Sequence, residues 1–234
     1  MRIYVTGDTH IPLDIGKLNT KEFPEQKELN RDDYVVILGD FGLYWFRNEE
    51  HRYWKEWLEA KPFTVLWIDG NHENHEWIGE LPVSRWHGGK VHQTSENIIH
   101  LMRGECYEIG GMRFLAAGGA QSYDRWGRVP GVSWWEEELW SHQEQENLFW
   151  TLDRMKADHV QPDYILSHTC PRTLLRPMFG VSPMEDPDPT AALLENVLED
   201  LGVDGFRGWY FGHWHQDKSL GRFHGLFQQI TRIC

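Results

Sequence analysis

The chain has no apolar run long enough to cross a membrane, and no Lys/Arg cluster dense enough to neutralise a nucleic-acid backbone. It also lacks a cysteine pattern. Cys106, Cys170 and Cys234 are scattered without CxxC spacing, which excludes a disulfide framework and a thiolate zinc site. There are no internal repeats and no low-complexity stretches. The segment Met1-Arg2-Ile3-Tyr4-Val5 runs straight into a strand-like pattern with no signal-peptide apolar region, and the expected location is the cytoplasm. Positive charge is scarce: 23 Lys and Arg stand against 36 Asp and Glu, for a net charge of −13 with His neutral. Long nucleic acids and anionic membranes are therefore disfavoured partners, although a metal site can create a local cationic spot that net charge hides.

What the chain does have is aromatic mass and punctuated apolar runs. Its 234 residues suit one domain over 1–234, and its 13 Trp imply a thick aromatic core. Short apolar runs rich in β-branched residues occur at Ile3 to Thr6, Tyr34 to Leu38, Phe63 to Ile68, Phe114 to Ala117, Tyr164 to Ser167 and Trp209 to Phe211. Such runs fit strands buried on both faces. Helical periodicity appears between them over Asn48 to Ala60, Glu136 to Met155, and Thr190 to Leu201. The last comes after the turn-like Asp186-Pro187-Asp188-Pro189, with Thr190 as the expected cap. Cys106 to Ile109, Gly110-Gly111 and Met112 to Ala116 read as a hairpin, and strands are expected after Lys218. The pattern predicts an α/β fold with parallel strand pairs and two sheets. Gly118 to Trp135 and Pro171 to Pro189 read as long loops of the kind that often carry function.

The chemistry lies in the polar residues at the end of each strand. Gly7-Asp8-Thr9-His10 comes after the first, Gly39-Asp40 after the second and Gly70-Asn71-His72-Glu73 after the third. Ser167-His168 and Gly212-His213-Trp214-His215 come later. Residues just beyond the carboxyl ends of parallel strands converge on one crevice, so these groups are expected to meet. Mixed carboxylate, amide and imidazole donors suit Mn, Fe, Zn, Co or Ni better than Mg or Ca. Seven such donors are too many for one tetrahedral ion and suit two ions sharing a bridging carboxylate. Singly each motif is weak; together, in this order, they form a coherent constellation.

In these motifs the sequence resembles the calcineurin-like metallophosphoesterase superfamily, whose pattern runs Asp-x-His, Gly-Asp-x-x-Asp, Gly-Asn-His-Asp/Glu, His, then Gly-His-x-His. The resemblance spans Gly7 to His215. It implies a four-layer αββα sandwich of two mixed sheets flanked by helices. It further implies that Asp8, His10, Asp40 and His215 hold one metal, and that Asp40 bridges to a second completed by Asn71, His168 and His213. His72 is then a general acid facing the scissile ester rather than a ligand. One position departs from the pattern: Leu43 stands where the second Asp of Gly-Asp-x-x-Asp falls, and relatives often use that carboxylate to orient the histidine. Asp69 is the expected substitute. Ile11 and Asp69 also break the pattern of the phosphoprotein-phosphatase branch, which favours a small bacterial-type phosphoesterase.

The implied chemistry is hydrolysis of phosphate mono- or diesters, with a metal-bridging hydroxide as nucleophile. Two divalent transition-metal ions are expected, Mn first. The expected partner is a small phosphate ester, nucleotide-like if the aromatic residues Tyr44, Trp45, Phe46, Trp126, Trp134 and Trp135 line the cleft. Arg125, Arg128 and Arg172 are candidates for phosphate contact, against the plainer reading of solvated arginines. Cys170 reads as a buried small residue. The competing functions are a non-catalytic metal-binding scaffold and a nuclease acting on nucleic acid.

Overall fold

A computed structural model describes residues 1–182 and 188–234. The strands are β1 (Ile3–Thr6), β2 (Tyr34–Leu38), β3 (Thr64–Ile68), β4 (Val83–Trp86), β5 (Gly89–Ser95), β6 (Ile98–Leu101) and β7 (Cys106–Ile109). They continue with β8 (Met112–Ala117), β9 (Tyr164–Ser167), β10 (Gly208–Phe211), β11 (Lys218–Leu220), β12 (Phe223–Gly225) and β13 (Thr231–Arg232). The helices are α1 (Glu49–Glu59), α2 (His75–Gly79), α3 (His142–Ala157), α4 (Leu175–Phe179) and α5 (Pro189–Leu201).

Among the described residues the strands form two mixed sheets. One runs β13-β1-β2-β3-β6-β5-β4 and the other β11-β12-β10-β9-β8-β7. The centre of each is parallel: β1, β2, β3 and β6 in the first, and β8, β9, β10 and β12 in the second. Side-chain alternation along these strands separates three apolar cores. Ile3, Val5, Val36 and Leu66 of the first sheet share one core with Phe114, Leu166 and Tyr210 of the second. On the opposite face of the first sheet, Tyr4, Val35, Ile37 and Trp67 pack on Ile15, Leu58 of α1 and Ile78 of α2. On the outer face of the second, Leu115, Ile165 and Trp209 pack on Leu148 and Leu152 of α3 and Leu194 of α5. Three cores between helix, sheet, sheet and helix make the four-layer αββα sandwich. No helix among the described residues is long and apolar enough to cross a membrane.

The hairpin forms where expected, with Ile109 paired to Met112 and both Gly110 and Gly111 at positive φ, as a two-residue turn between twisted strands requires. Four expectations are corrected. The expected helix Glu136 to Met155 is broken: Glu136–Glu138 is a 3-10 turn, and α3 begins only after Ser141, whose side chain and Glu144 form a capping box. Trp140 Nε1–H donates to the Gly118 carbonyl at 2.7 Å, which fixes the chain in an extended link at that point. Asp188, not Thr190, caps α5, its carboxylate accepting the Thr190 N–H at 2.8 Å with Pro189 in the first turn. β4, β5 and β6 are strands that the apolar pattern does not predict. β4 is an edge strand with Val83, Ser84 and Arg85 exposed, so it carries no buried apolar run. The expected loop from Pro171 to Pro189 is in part helical, with a 3-10 turn over Arg172–Leu174 running into α4, which buries Leu175 and Met178 in the core; its residues 183–187, with the Asp186-Pro187 turn, lie outside the described residues.

Candidate metal centre

Each candidate residue sits just past the carboxyl end of a parallel strand: Asp8 and His10 after β1, Asp40 after β2, and Asn71 and His72 after β3. His168 comes after β9, and His213 and His215 after β10. The two sheets therefore bring their strand ends to one crevice. Ligand atoms of Asp8, His10, Asp40 and His215 all lie within 4.8 Å of one another. Asn71 Oδ1 stands 3.0 Å from His168 Nε2 and 2.9 Å from His213 Nδ1. His168 Nε2 is in turn 3.3 Å from Asp40 Oδ1, so Asp40 lies between the two groups, with its Oδ2 3.3 Å from His10 Nε2.

The backbone is bent sharply to achieve this. His10, Asp40, His213 and His215 all have positive φ, a conformation that non-glycine residues rarely adopt and that clusters at functional sites. Gly70 packs so closely that a Cβ there would overlap the Asp40 carboxylate. The motif glycine is thus a space requirement.

Surrounding groups fix the donors. His168 Nδ1–H donates to the Leu38 carbonyl at 2.7 Å, which leaves Nε2 facing the carboxylates. His10 Nδ1 lies 2.9 Å from Asp14 Oδ2, and His215 stacks on Phe227 at 4.7 Å. Asn71 Nδ2 donates to Ser122 Oγ at 3.1 Å, and Ser122 Oγ–H donates to Glu138 Oε2 at 2.6 Å, so the amide must turn its oxygen inward. The His72 N–H donates to Asp40 Oδ1 at 2.7 Å and the His213 N–H to Asp8 Oδ1 at 2.9 Å. Asp14, Ser122, Glu138 and Phe227 lie outside the sequence motifs. Asp14 alone has a local signal, four residues after His10.

Asp8 and Asp40 are fully buried carboxylates. Burial opposes their ionisation, but the imidazoles more than offset it: His215 and His168 hold Asp8 below the usual carboxylate range, and His168 and His10 hold Asp40 well below it. Burial likewise disfavours charge on the histidines, yet Asp40 and Asp8 raise His10 to about 9 and His168 to about 10. His213, buried and beside His168, falls to about 3. The crevice thus demands positive charge at its centre. Asp8 Oδ2 and His213 Nε2 are buried without a hydrogen bond; His215 Nε2 stands 2.9 Å from Asp8 Oδ2 but out of hydrogen-bond alignment. Convergent oxygen and imidazole donors, two of them with an orphaned buried atom, fit divalent metal ions.

His72 lies at the mouth. Its ring is 5.6 Å from His10 and faces Trp45 at 6.4 Å, while Arg128 Nη2 stands 3.1 Å from its Nε2. Asp69 does not take up the orienting role expected of it: its carboxylate accepts Arg103 Nε–H at 2.7 Å and lies 3.2 Å from His100 Nε2. Leu43 is buried in the outer core of the first sheet, where an aspartate would be costly. Of the aromatic candidates, Tyr44 is core, stacked on Trp67 at 5.4 Å, whereas Trp45 packs edge-on against Trp135 at 5.5 Å beside the site. Tyr123 adds a wall with no motif to announce it, 5.6 Å from His213. Arg125 lies over Trp134 at 5.9 Å, and Cys170 is buried in the helix-side core of the second sheet.

Residues 1–217 match the family described as calcineurin-like phosphoesterase. No curated protein matches the chain.

Proposed function

Because the chain belongs to the calcineurin-like phosphoesterase family, we propose that residues 1–234 act as one hydrolytic domain that cleaves phosphate mono- or diesters at two divalent transition-metal ions. Mn²⁺ is placed first, with Fe, Zn, Ni and Co as alternatives. The observation that carries the reading is the convergence of Asp8, His10, Asp40 and His215 within 4.8 Å, next to Asn71, His168 and His213. In this reading Asp40 serves both groups, since one oxygen faces His10 and the other His168. The ions, when bound, acidify water for attack on phosphorus and offset charge on the phosphate oxygens.

The chain's own residues orient and protonate. The Asp40 carboxylate pins the His72 backbone, which holds the imidazole at the edge of the crevice. Burial, Arg128 and His10 lower the pKa of His72, against the pull of Asp40. A phosphate ester entering beside it brings negative charge, which favours the protonated ring and readies it to donate to the leaving alkoxide. Trp45 stands beside the imidazole, its ring centre 6.4 Å away.

The test is hydrolysis of a chromogenic phosphate monoester and its matching diester by chelator-stripped protein, with and without Mn²⁺. Turnover that returns with Mn²⁺ is expected. Protein that binds metal yet turns over neither ester would point to a scaffold instead.

A further inference from the structure

We propose that Arg128 binds the substrate phosphate and biases the site toward phosphate monoesters. The proposal rests on the phosphoesterase reading above and adds to it a substrate class.

Arg128 is carried by a loop whose neighbours are open to solvent: Trp126 is 89% exposed, and Val129 and Val132 are each 57% exposed. Its own side chain is only 15% exposed and turns inward. Nη2 stands 3.1 Å from His72 Nε2 and 3.2 Å from His72 Nδ1, and Nη1 stands 3.2 Å from Nδ1. The two nitrogens of an imidazole point away from each other in the ring plane. A guanidinium nitrogen nearly equidistant from both therefore lies over the face of the ring, not on a lone pair. The cation rests against His72 without a directional bond to it.

Its hydrogen bonds are to the rim: Nη2–H to Asp124 Oδ2 at 2.8 Å and Nη1–H to the Ser133 carbonyl at 3.2 Å. Asp124 is itself 61% exposed, so that ion pair is screened and weak. A planar fork with five donors, held at the mouth by a weak pair, can exchange Asp124 for phosphate oxygens at little cost. Arg125, three residues earlier, is instead directed at Trp134.

The bias arises from charge. A terminal phosphate presents three non-bridging oxygens and close to two negative charges at neutral pH. A diester presents two oxygens and one charge. An added guanidinium fork strengthens the first more than the second.

The test compares wild type, Arg128→Met and Arg128→Lys, all metal-loaded and with metal content checked by elemental analysis. KM and kcat are measured on a nitrophenyl phosphate and on the bis-nitrophenyl diester, and inorganic phosphate binding is measured by calorimetry. Arg128→Met is expected to raise the monoester KM and weaken phosphate binding, each by roughly tenfold or more, and to lower monoester kcat/KM by a clearly larger factor than diester kcat/KM. Arg128→Lys is expected to fall between, as a point charge without the fork. Unchanged phosphate affinity, or equal loss on both esters, overturns the proposal. If wild type turns over neither ester, the phosphoesterase reading fails separately. Phosphate binding then decides the role of Arg128 alone, an unchanged affinity rejecting it and a tenfold loss supporting it.

Discussion

Glu73 Oε1 accepts the Phe41 backbone N–H at 2.7 Å, so the turn that carries Asn71 and His72 holds the turn that carries Asp40. Glu73 is fully buried, and burial, together with the charge on Asp40, pushes its carboxyl well above the usual range. A neutral side chain with a carbonyl oxygen is therefore what the position needs. Glu73→Gln is expected to keep stability and metal binding. Glu73→Ala strands a buried N–H and should cost about 1–3 kcal/mol, with metal occupancy falling as the Asp40 turn loosens. Urea unfolding and metal content read both, and equal behaviour of the two variants would sink the idea.

Lys17 performs the same service for the first motif. Its buried ammonium donates to the Asp8 carbonyl at 2.7 Å, to the Gly7 carbonyl at 2.9 Å, and to the Phe227 carbonyl. Phe227 stacks on His215, so one cation links both ends of the chain at the candidate metal centre. Burial lowers its pKa to about 8, still charged at pH 7. Lys17→Met leaves those carbonyls without a donor and should cost about 2 kcal/mol. Weaker binding of Mn²⁺ in a calorimetric titration is expected alongside. Wild-type affinity in a folded variant would confine Lys17 to stability.

The strand ends are legible in the sequence because parallel strands buried on both faces leave continuous apolar runs, and the polar residue that stops each run marks the crevice. That logic picks out Asp8, Asp40, Asn71, His168 and His213 without any contact information. It fails where pairing is set by neighbours. β4 exposes Val83 to Arg85 and is a strand only because β5 pairs with it. It fails again for groups that act on the donors from a distance in sequence. Ser122 and Glu138, which set the Asn71 amide, lie 51 residues and more beyond it, on a segment with no motif of its own. Proximity in sequence points to Asp69 as the partner of His72, yet Asp69 is committed to Arg103 and His100, and Arg128 arrives from the loop instead.

His72 separates binding from chemistry. Its backbone, not its ring, bonds Asp40, so changing the ring should leave the donor cluster intact. His72→Asn is expected to bind metal as wild type does and to lose about 10²–10⁴-fold in kcat on an ester with a poor leaving group. The loss should shrink on an ester whose alkoxide needs no proton. An equal loss on both substrates would move His72 from proton donor to a purely positioning role.

Acid should destabilise the protein through two histidines outside the candidate metal centre. His75 is buried against the Gly70 carbonyl at 3.1 Å, and His92 faces His100 at 3.0 Å. Burial, aided by Arg103, holds His75 at about 3, and burial, aided by His100, holds His92 at about 4. Both folded values lie below the unfolded value near 6.5, so the unfolded chain binds more protons in that window. Stability is thus present above about pH 6.5 and is lost as pH falls toward 4 for His92 and toward 3 for His75. The slope is at most about 1.4 kcal/mol per pH unit for each group. The candidate ligand histidines His10 and His168 carry the opposite sign, so the comparison must be differential. Wild type, His75→Gln and His92→Gln are to be unfolded in urea at pH 7 and pH 5 without metal. Each variant should lose about 1–2 kcal/mol less than wild type over that range. A variant with the wild-type slope would show that its histidine titrates alike in the folded and unfolded chain.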